Sequence, residues 1–287
     1  MRQVEKYAVI GHGVSHSRSP EIHTLFAAAT AQALQYERID VAADVFAGAV
    51  AKFFDAGGCG LNVTVPFKET AVGLATSLTP RARRAGAVNT LARIATVDTS
   101  AAAVPYTLLG DNTDGAGLVR DLTVNLQCPL RGARVLLLGA GGAARGVIAP
   151  LLEAGVAALL IHNRRGARAK QLAQEFADLG PISATNPTLD TNPGFDLIIN
   201  ATSASLRGEL PLLPAKAVNA RTLCYDCAYG KNDTVFVHWA RSAGAAHAVM
   251  GLGMLVEQAA ESFLLWRGVR PETAPVLVAL RDKNRAS

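Results

Sequence analysis

The fold is decided by residues 134–146, which read RVLLLGAGGAARG. A run of strand length, residues 134–138, is apolar after Arg134 and leads directly into Gly139, Gly141 and Ala144, and a helical stretch follows. Such a turn between a buried strand and a helix lets the backbone approach a pyrophosphate, which the helix N-terminus attracts with its free N–H groups. The stretch therefore predicts a dinucleotide-binding turn. The alternative is a glycine-rich turn that binds no ligand.

The end of the next predicted strand, Ala158–His162, favours one form of the dinucleotide. Enzymes that use NAD usually carry Asp or Glu at this point, where the carboxylate binds the ribose hydroxyls. This chain has Asn163, Arg164 and Arg165 there, followed by Arg168. Because a guanidinium can bind a 2′-phosphate through two parallel hydrogen bonds, the pattern favours NADP. The alternative is a basic turn exposed to solvent.

Strands and helices alternate along the rest of the chain. Further strands are predicted at Phe195–Asn200 and Thr222–Asp226, in a second α/β unit that starts near Asp114. Strand, helix and strand in this rhythm predict a parallel sheet with right-handed crossovers. A helical stripe of apolar residues follows Gly253 near the C-terminus, and we expect this segment to pack on the first unit.

The N-terminal part also alternates, with strands predicted at Tyr7–Ile10 and Gly60–Val65 and helical stripes over residues 22–29 and 46–53. In the second strand Leu61, Val63 and Val65 are expected on one face, with Asn62 and Thr64 on the other. For the first helix we predict Ser19 as the N-cap and Pro20 as the first helical residue. Residues Ile94–Leu109 are expected to form a hairpin or a loop.

The composition is that of an ordinary globular chain. Of the 287 residues 50% are hydrophobic and 18% are charged, and the net charge is only +5, so nothing predicts an arm that binds nucleic acid. Charges interrupt every apolar run before it reaches the length of about 18 residues that a membrane span requires. We therefore expect a cytoplasmic protein that binds small molecules, with neither nucleic acid nor membrane as a partner.

Two groups of residues could suggest a metal. Cys224 and Cys227 form a Cys-x-x-Cys pattern, which suits a redox pair or half of a zinc site, but no second pair at ligand spacing completes such a site. We interpret both as free thiols. His12, His16 and His23 span a loop and a helix start with no carboxylate at ligand spacing, which favours structural roles. No metal is predicted.

A series of motifs, in one order along the chain, resembles the motifs of shikimate dehydrogenases. They are Ser17-Arg18-Ser19-Pro20, Asn62–Lys68 (NVTVPFK), Gly86–Thr90 (GAVNT), Gly110–Gly115 (GDNTDG), Gly139–Ala144, Asn163-Arg164, Asn200-Ala201-Thr202, and Gly251–Leu255 with Gln258. The resemblance implies a two-domain α/β fold. Residues 1–114 would form an N-terminal α/β substrate domain, completed by C-terminal helices in residues 250–287, and residues 115–249 a Rossmann-type NADP-binding domain.

The resemblance also implies roles for individual residues. Lys68 would act as the acid/base of a catalytic pair with Asp114, although an isolated lysine after a strand is more often simply solvated. The implied substrate-binding residues are Ser17, Ser19, Thr64, Asn89, Asp114, Tyr229 and Gln258. The implied cofactor-binding residues are Gly139, Ala140, Gly141, Gly142, Ala143, Asn163, Arg164, Arg165, Arg168, Ala201, Thr202 and Gly251. Helix capping is the alternative role for Ser19, and packing is the alternative for Tyr229.

The function implied by the resemblance is the NADP-dependent interconversion of shikimate and 3-dehydroshikimate in aromatic amino-acid biosynthesis, by a monomer or a homodimer. Two alternatives stay open: a quinate/shikimate dehydrogenase with relaxed cofactor use, and a non-catalytic NADP-binding sensor. A sensor would be expected to have lost Lys68 or Asp114. The stretch Ala95–Pro105 is longer than we expect of compact members, and we predict a surface hairpin there.

Overall fold

The chain folds into two units, each built on one six-stranded sheet. The computed structural model describes residues 4–95, 106–185, 194–211, 213 and 215–286. Unit 1 comprises Met1–Asp114 and Val256–Ser287, and unit 2 comprises Gly115–Leu255. Within the described ranges, no helix is long and apolar enough to cross a membrane.

Unit 1 contains a mixed sheet. Its N-terminal elements are β1 (Glu5–Gly11), α1 (Ser19–Ala29), β2 (Leu34–Asp40), α2 (Phe46–Asp55), β3 (Gly58–Val63), β4 (Ser77–Leu78), α3 (Pro80–Ala85), β5 (Thr90–Ala95) and β6 (Tyr106–Asp111). The strand order is β2-β1-β3-β5-β6-β4, in which β5 runs antiparallel to both β3 and β6. This arrangement brings the C-terminal ends of β3 and β6 beside the start of β5, and the predicted substrate residues Thr64, Asn89 and Asp114 lie next to these strand ends.

Unit 2 contains a fully parallel sheet. Its elements are α4 (Asp114–Arg120), β7 (Arg134–Leu138), α5 (Gly142–Glu153), β8 (Ala158–His162), α6 (Gly166–Glu175), β9 (Ile182–Ala184), β10 (Leu197–Asn200), β11 (Leu223–Asp226), α7 (Val235–Ser242) and β12 (His247–Met250). The order β12-β11-β10-β7-β8-β9 confirms the predicted parallel sheet. The sequence order of the strands reverses between β7 and β10. Ligands of such sheets bind at the carboxyl ends of the strands beside that reversal.

Helix α8 (Leu252–Arg267) and helix α9 (Ala274–Ala286) end the chain. From Val256 onward they belong to unit 1. In α8 the side chains of Val256, Ala260 and Phe263 are fully buried, as the apolar stripe in the sequence predicts.

The boundaries of β7 and β8 agree with the sequence because these strands are covered on both faces. Val135 and Leu137 pack into one core cluster, whereas Leu136 and Leu138 pack into another. A strand buried on both sides reads as a continuous apolar run, and its limits are therefore visible in the sequence.

Two predicted details of unit 1 are wrong. Helix α1 already includes Ser19, the N-cap position falls on Arg18, and no side chain caps it; instead the Ser19 N–H donates to Ser17 Oγ at 3.3 Å. Strand β3 ends at Val63, and Val65, predicted on its apolar face, is 41% exposed. The predicted hairpin is confirmed in its two arms, since β5 and β6 pair in antiparallel fashion, but residues 96–105 lie outside the described part of the chain.

Candidate active site

Lys68 and Asp114 form a close ion pair in unit 1. The Lys68 Nζ donates to Asp114 Oδ2 at 2.5 Å, and the side chains are only 13% and 5% exposed. Lys68 follows β3, and its carbonyl accepts from the Val88 N–H at 2.8 Å, which fixes the backbone beside β5. The sequence placed these residues 46 positions apart, and the fold brings them into direct contact.

Asn89 holds the other oxygen of the carboxylate. Its Nδ2 donates to Asp114 Oδ1 at 2.8 Å and to Gln258 Oε1 at 3.3 Å. Its Oδ1 accepts from the Thr113 N–H at 2.8 Å, and this backbone bond determines which end of the amide faces Asp114. Thus Lys68, Asn89, Asp114 and Gln258, all predicted site residues, lie in one connected group.

Ser17 and Ser19 lie side by side before and at the start of α1. Their side-chain oxygens are 3.2 Å apart, and both residues are buried. Arg38, which the sequence did not single out, donates twice to the Ser17 carbonyl, at 2.8 and 2.6 Å. A positive charge therefore lies directly behind a pair of hydroxyls, and this combination suits the binding of a carboxylate.

Two further predicted substrate residues are half-buried. Thr64 follows β3, and its N–H donates to the Ile10 carbonyl at 3.0 Å. Its methyl group occupies the space that a Cβ of residue 11 would need, so glycine is required at Gly11. Tyr229 lies in unit 2, in the loop after β11.

The residues of the turn after β7 fit a pyrophosphate. Gly139 has φ of 110°, a conformation that favours glycine, and a Cβ there would lie 3.1 Å from the Ala201 carbonyl oxygen. At Gly141 nothing lies within 4 Å of an added Cβ, so the space in front of the turn is open. Helix α5 begins at Gly142, and its first N–H groups have no acceptor within the helix. Ala140, Gly142 and Ala143 complete this open cradle, which a phosphate group can fill.

The basic turn after β8 is ordered by its own asparagine. Asn163 Nδ2 donates to the Arg165 carbonyl at 2.9 Å, and α6 starts at Gly166. Arg164, Arg165 and Arg168 are all exposed. Three guanidinium groups at the end of the strand next to β7 are suitably placed to bind a phosphate on the adenosine ribose.

Ala201 and Thr202 follow β10, on the other side of the reversal in strand order. Thr202 donates from both its N–H and its Oγ1 to Asn200 Oδ1, at 3.1 and 2.7 Å. Asn200 in turn donates to Asp226 Oδ1 at 3.1 Å. Gly251 lies beside the same strands, since an added Cβ would be 2.7 Å from the Cys227 carbonyl oxygen and therefore would not fit.

Asp226 organises this end of the sheet, and no sequence pattern revealed it. Its carboxylate accepts from Ser205 and Thr234, each at 2.6 Å, and from the Ala228 N–H at 3.1 Å. Burial raises the pKa of Asp226, although these donors act in the opposite direction. The loop that carries Ala201 and Thr202 and the loop that carries Tyr229 are both connected to this one carboxylate.

A second ion network lies close in sequence to Asp114. Arg81 donates to both oxygens of Asp111, at 2.7 and 2.5 Å, and also contacts Glu261 of α8 at 3.4 Å. Burial alone would raise the pKa of Asp111, but its bonds with Arg81 and Thr79 lower it below the usual range. The sequence does not predict this network, because nothing in the spacing of the charged residues indicates that they pair.

The cysteine pair and the N-terminal histidines are the residues that could suggest a metal. In the ranges that the structure describes, no group of three or more His, Cys, Asp or Glu side chains could hold an ion. Cys224 and Cys227 are not joined by a disulfide, and burial raises the pKa of the Cys224 thiol to about 12. His23 is fully buried and stacks on Tyr36, with ring centroids 4.3 Å apart.

Comparison with known proteins identifies three family models along the chain. Residues 9–91 match the shikimate dehydrogenase substrate binding domain. Residues 122–220 match the shikimate / quinate 5-dehydrogenase model, and residues 251–281 match the shikimate 5′-dehydrogenase C-terminal domain.

Individual relatives extend over almost the whole chain. A protein of Alkalilimnicola ehrlichii named shikimate dehydrogenase (NADP(+)) is 55% identical over 97% of this chain and 99% of its own length. Among solved structures, an Ael1 enzyme from Pseudomonas putida is 44% identical with a TM-score of 0.83, and covers 96% of this chain and 98% of its own.

A shikimate 5-dehydrogenase from Thermus thermophilus, solved in complex with NADP(H) and shikimate, is 32% identical with a TM-score of 0.81. The match covers 97% of this chain and 99% of that one. Sequence identity, coverage and architecture agree, and this chain belongs to the shikimate dehydrogenase family.

Proposed function

We propose that this protein is an NADP-dependent shikimate dehydrogenase, which reversibly oxidises shikimate to 3-dehydroshikimate. The observation that carries the proposal is the buried pair of Lys68 Nζ and Asp114 Oδ2, 2.5 Å apart. The reaction requires a group that removes the proton of a substrate hydroxyl, and a lysine held by a carboxylate beside amide groups provides one. The names of the relatives described above support the substrate and the cofactor.

Each side chain around the pair has a defined task in this proposal. The neutral amine of Lys68 accepts the proton of the reacting hydroxyl during oxidation, and the resulting ammonium returns it in the reverse reaction. Asp114 keeps the Lys68 Nζ in place and accepts from a second substrate hydroxyl. Asn89 and Gln258 present further polar atoms to the substrate hydroxyls, as does Thr64. Because the Lys68 Nζ and the Asp114 carboxylate are in direct contact, we assign the proton transfer to the pair.

Ser17 and Ser19 bind the substrate carboxylate in this proposal. Each hydroxyl can donate one hydrogen bond, and Arg38 supplies positive charge behind the Ser17 peptide. Tyr229 contributes from the loop after β11. The carboxylate fixes the orientation of the ring, so that only one hydroxyl faces Lys68.

The cofactor is held by residues of unit 2. A bound NADP would supply the acceptor for the hydride that the carbinol carbon loses. Gly139, Ala140, Gly141, Gly142 and Ala143 would hold the pyrophosphate. The adenosine phosphate would lie against Asn163, Arg164, Arg165 and Arg168, and the loops at Ala201, Thr202 and Gly251 would border the nicotinamide half.

We propose further that residues 1–114 and 250–287 form the substrate domain and residues 115–249 the NADP domain. Under this proposal the enzyme works in the cytoplasm, as a monomer or a homodimer.

The test is a turnover assay that follows the near-ultraviolet absorbance of the reduced cofactor. Shikimate and quinate are each offered with NADP and with NAD to the parent protein, Lys68→Ala and Asp114→Asn. Shikimate with NADP is expected to be the best pair, and Lys68→Ala is expected to lower kcat by about 10²- to 10⁴-fold. The exposed Lys52→Ala is the matched control and should keep full activity.

Titration calorimetry with shikimate separates loss of chemistry from loss of binding, because Lys68→Ala should still bind the substrate. Faster turnover of quinate would favour the alternative dehydrogenase. If a folded parent protein binds NADP but oxidises neither substrate, the non-catalytic sensor is the better assignment.

A further inference from the structure

A hydroxyl cluster lies next to Asn89, and none of its members belongs to the predicted site. Its centre is Ser262 of α8, which is fully buried. The Ser262 Oγ lies 2.8 Å from Thr90 Oγ1 and accepts from Asn62 Nδ2 at 2.9 Å. It also lies within 3.2 Å of the Gln258 carbonyl oxygen and 3.3 Å of Thr113 Oγ1. A buried hydroxyl with this many partners is fixed in position.

The direction of the hydrogen bonds is set at Asn62. Its Nδ2 lies 3.4 Å from the Asn89 backbone carbonyl oxygen, which can only accept a hydrogen bond. The amide therefore turns Nδ2 toward Ser262 and toward Thr90 Oγ1, which is 3.1 Å away, and its Oδ1 accepts from the Tyr36 hydroxyl at 2.7 Å. The hydroxyls of Ser262 and Thr90 receive hydrogen bonds from Asn62 and are left to donate onward.

The near end of the cluster is Asn89 itself. Thr90 Oγ1 donates to Asn89 Oδ1 at 2.9 Å. With its oxygen held by Thr90 as well as by the Thr113 N–H, Asn89 presents Nδ2 to Asp114 Oδ1 at 2.8 Å. The hydrogen bonds thus run from Tyr36 through Asn62 and Thr90 to the carboxylate that pairs with Lys68.

Ser262 also positions the Gln258 side chain. The two residues are one helical turn apart on α8, and side chains at this spacing lie above one another on the same face. Contacts of Ser262 with β3 and β5 residues hold that face of α8 against the sheet, where Gln258 Oε1 meets Asn89 at 3.3 Å and Thr113 Oγ1 at 3.3 Å.

We propose that Ser262 and Thr90 are positioning residues, which set the Asn89 and Gln258 side chains in the geometry that binds shikimate. The inference rests on the proposed function and deepens it. Neither hydroxyl touches the reacting atoms. Their removal should weaken substrate binding more than proton transfer, because Lys68 and Asp114 keep their direct contact.

The experiment uses Ser262→Ala and the nearly isosteric Thr90→Val in the full chain, with steady-state kinetics and melting temperatures. Each variant is expected to raise KM for shikimate about five- to tenfold, as the loss of one buried hydrogen bond predicts. The KM for NADP should stay within about twofold. The double variant should raise KM for shikimate little beyond the larger single effect, because both hydroxyls act on the same residues. Thr90→Ser, which keeps the hydroxyl, should recover most of the loss.

Val50→Ala in α2 is the control for simple loss of stability, since Val50 is buried among apolar side chains of the same unit. The inference is overturned if Ser262→Ala leaves KM for shikimate within about twofold of the parent, or if it raises both KM values alike. It is also overturned if Val50→Ala reproduces the rise at a similar melting temperature. Failure of the proposed function would be seen separately, as a parent protein that does not oxidise shikimate, and this inference would fall with it.

Discussion

The stability of unit 1 should decrease below neutral pH because of one buried histidine. His23 is fully enclosed, and its ring contacts Tyr36, Phe26, Phe263 and Trp266. Burial lowers the pKa of His23 to about 3, although the neighbouring Asn62 acts in the opposite direction. Below about pH 6.5 His23 therefore binds a proton in the unfolded chain but not in the folded chain.

The magnitude follows from the difference in protonation. A histidine with a lowered pKa contributes stability that is fully present above the unfolded value of about 6.5 and is lost as the pH falls toward the folded value. Between about pH 7.5 and about pH 5 the loss amounts to roughly 2 kcal/mol. Because a pH of about 5 lies well above the pKa of about 3 in the folded chain, the loss is set almost entirely by protonation of His23 in the unfolded chain.

The assay compares the parent protein with His23→Phe, which keeps an aromatic ring in the same place. Urea unfolding is followed at several pH values by tryptophan fluorescence in a Trp239→Phe background, so that Trp266 alone reports on unit 1. The free energy of unfolding of His23→Phe should fall by about 2 kcal/mol less than that of the parent over this range. His16→Gln, which changes an exposed histidine of the same unit, is the matched control. Parallel curves for the parent and His23→Phe would refute the reasoning.

Three further predictions concern the ion network and the cofactor site. Arg81→Ala should lower the free energy of unfolding of unit 1 by about 2 kcal/mol at neutral pH, because it leaves the buried Asp111 with fewer hydrogen-bond donors. Lys283→Ala is the control at an exposed ion pair, and it should cost less than about 1 kcal/mol. Since the pKa of Asp111 is lowered in the fold, this difference in urea stability should shrink as the pH falls below about 4, and a constant difference would contradict the assigned pairing. Gly139→Ala should cost about 1–3 kcal/mol in thermal stability and weaken NADP binding in calorimetry, and unchanged binding would argue against a cofactor at this turn. Replacing Arg164 and Arg165 by Ser should weaken NADP about 10- to 100-fold and leave NAD unaffected, and an equal loss for both would show that the turn does not bind the phosphate.

The sequence predicts the sheet of unit 2 much better than its supporting polar contacts. Strand β7 is covered on both faces, so its apolar run and the following Gly139 mark its end unambiguously. Strand β2 of unit 1 was missed, because most of its residues are exposed or half-buried polar ones and show no clear alternation. Val65 continues the apolar–polar alternation of β3, although the strand has already ended at Val63. The predicted strand therefore extends two residues too far.

The residues of the candidate site were visible through motifs, whereas the groups that hold them were not. Lys68 and Asp114 lie in recognisable motifs, and their contact could be expected from the family resemblance alone. Ser262 and Asp226 stand out in no sequence pattern, and their importance arises from partners far away in the sequence. No local pattern encodes such long-range pairs, since any serine or aspartate could occupy those positions in a chain read alone.

The division of unit 1 into two stretches of sequence has a consequence for synthesis on the ribosome. Unit 2 is complete once residue 255 has emerged, but unit 1 has to wait for α8 and α9. Until then Asn89 lacks Gln258 and Thr90 lacks Ser262, even though Lys68 and Asp114 have long been made. Domains generally fold as units during translation. The pocket proposed for shikimate is therefore the last part of the molecule to be assembled, and a chain cut short before residue 256 would carry the reacting pair without the residues that orient its substrate.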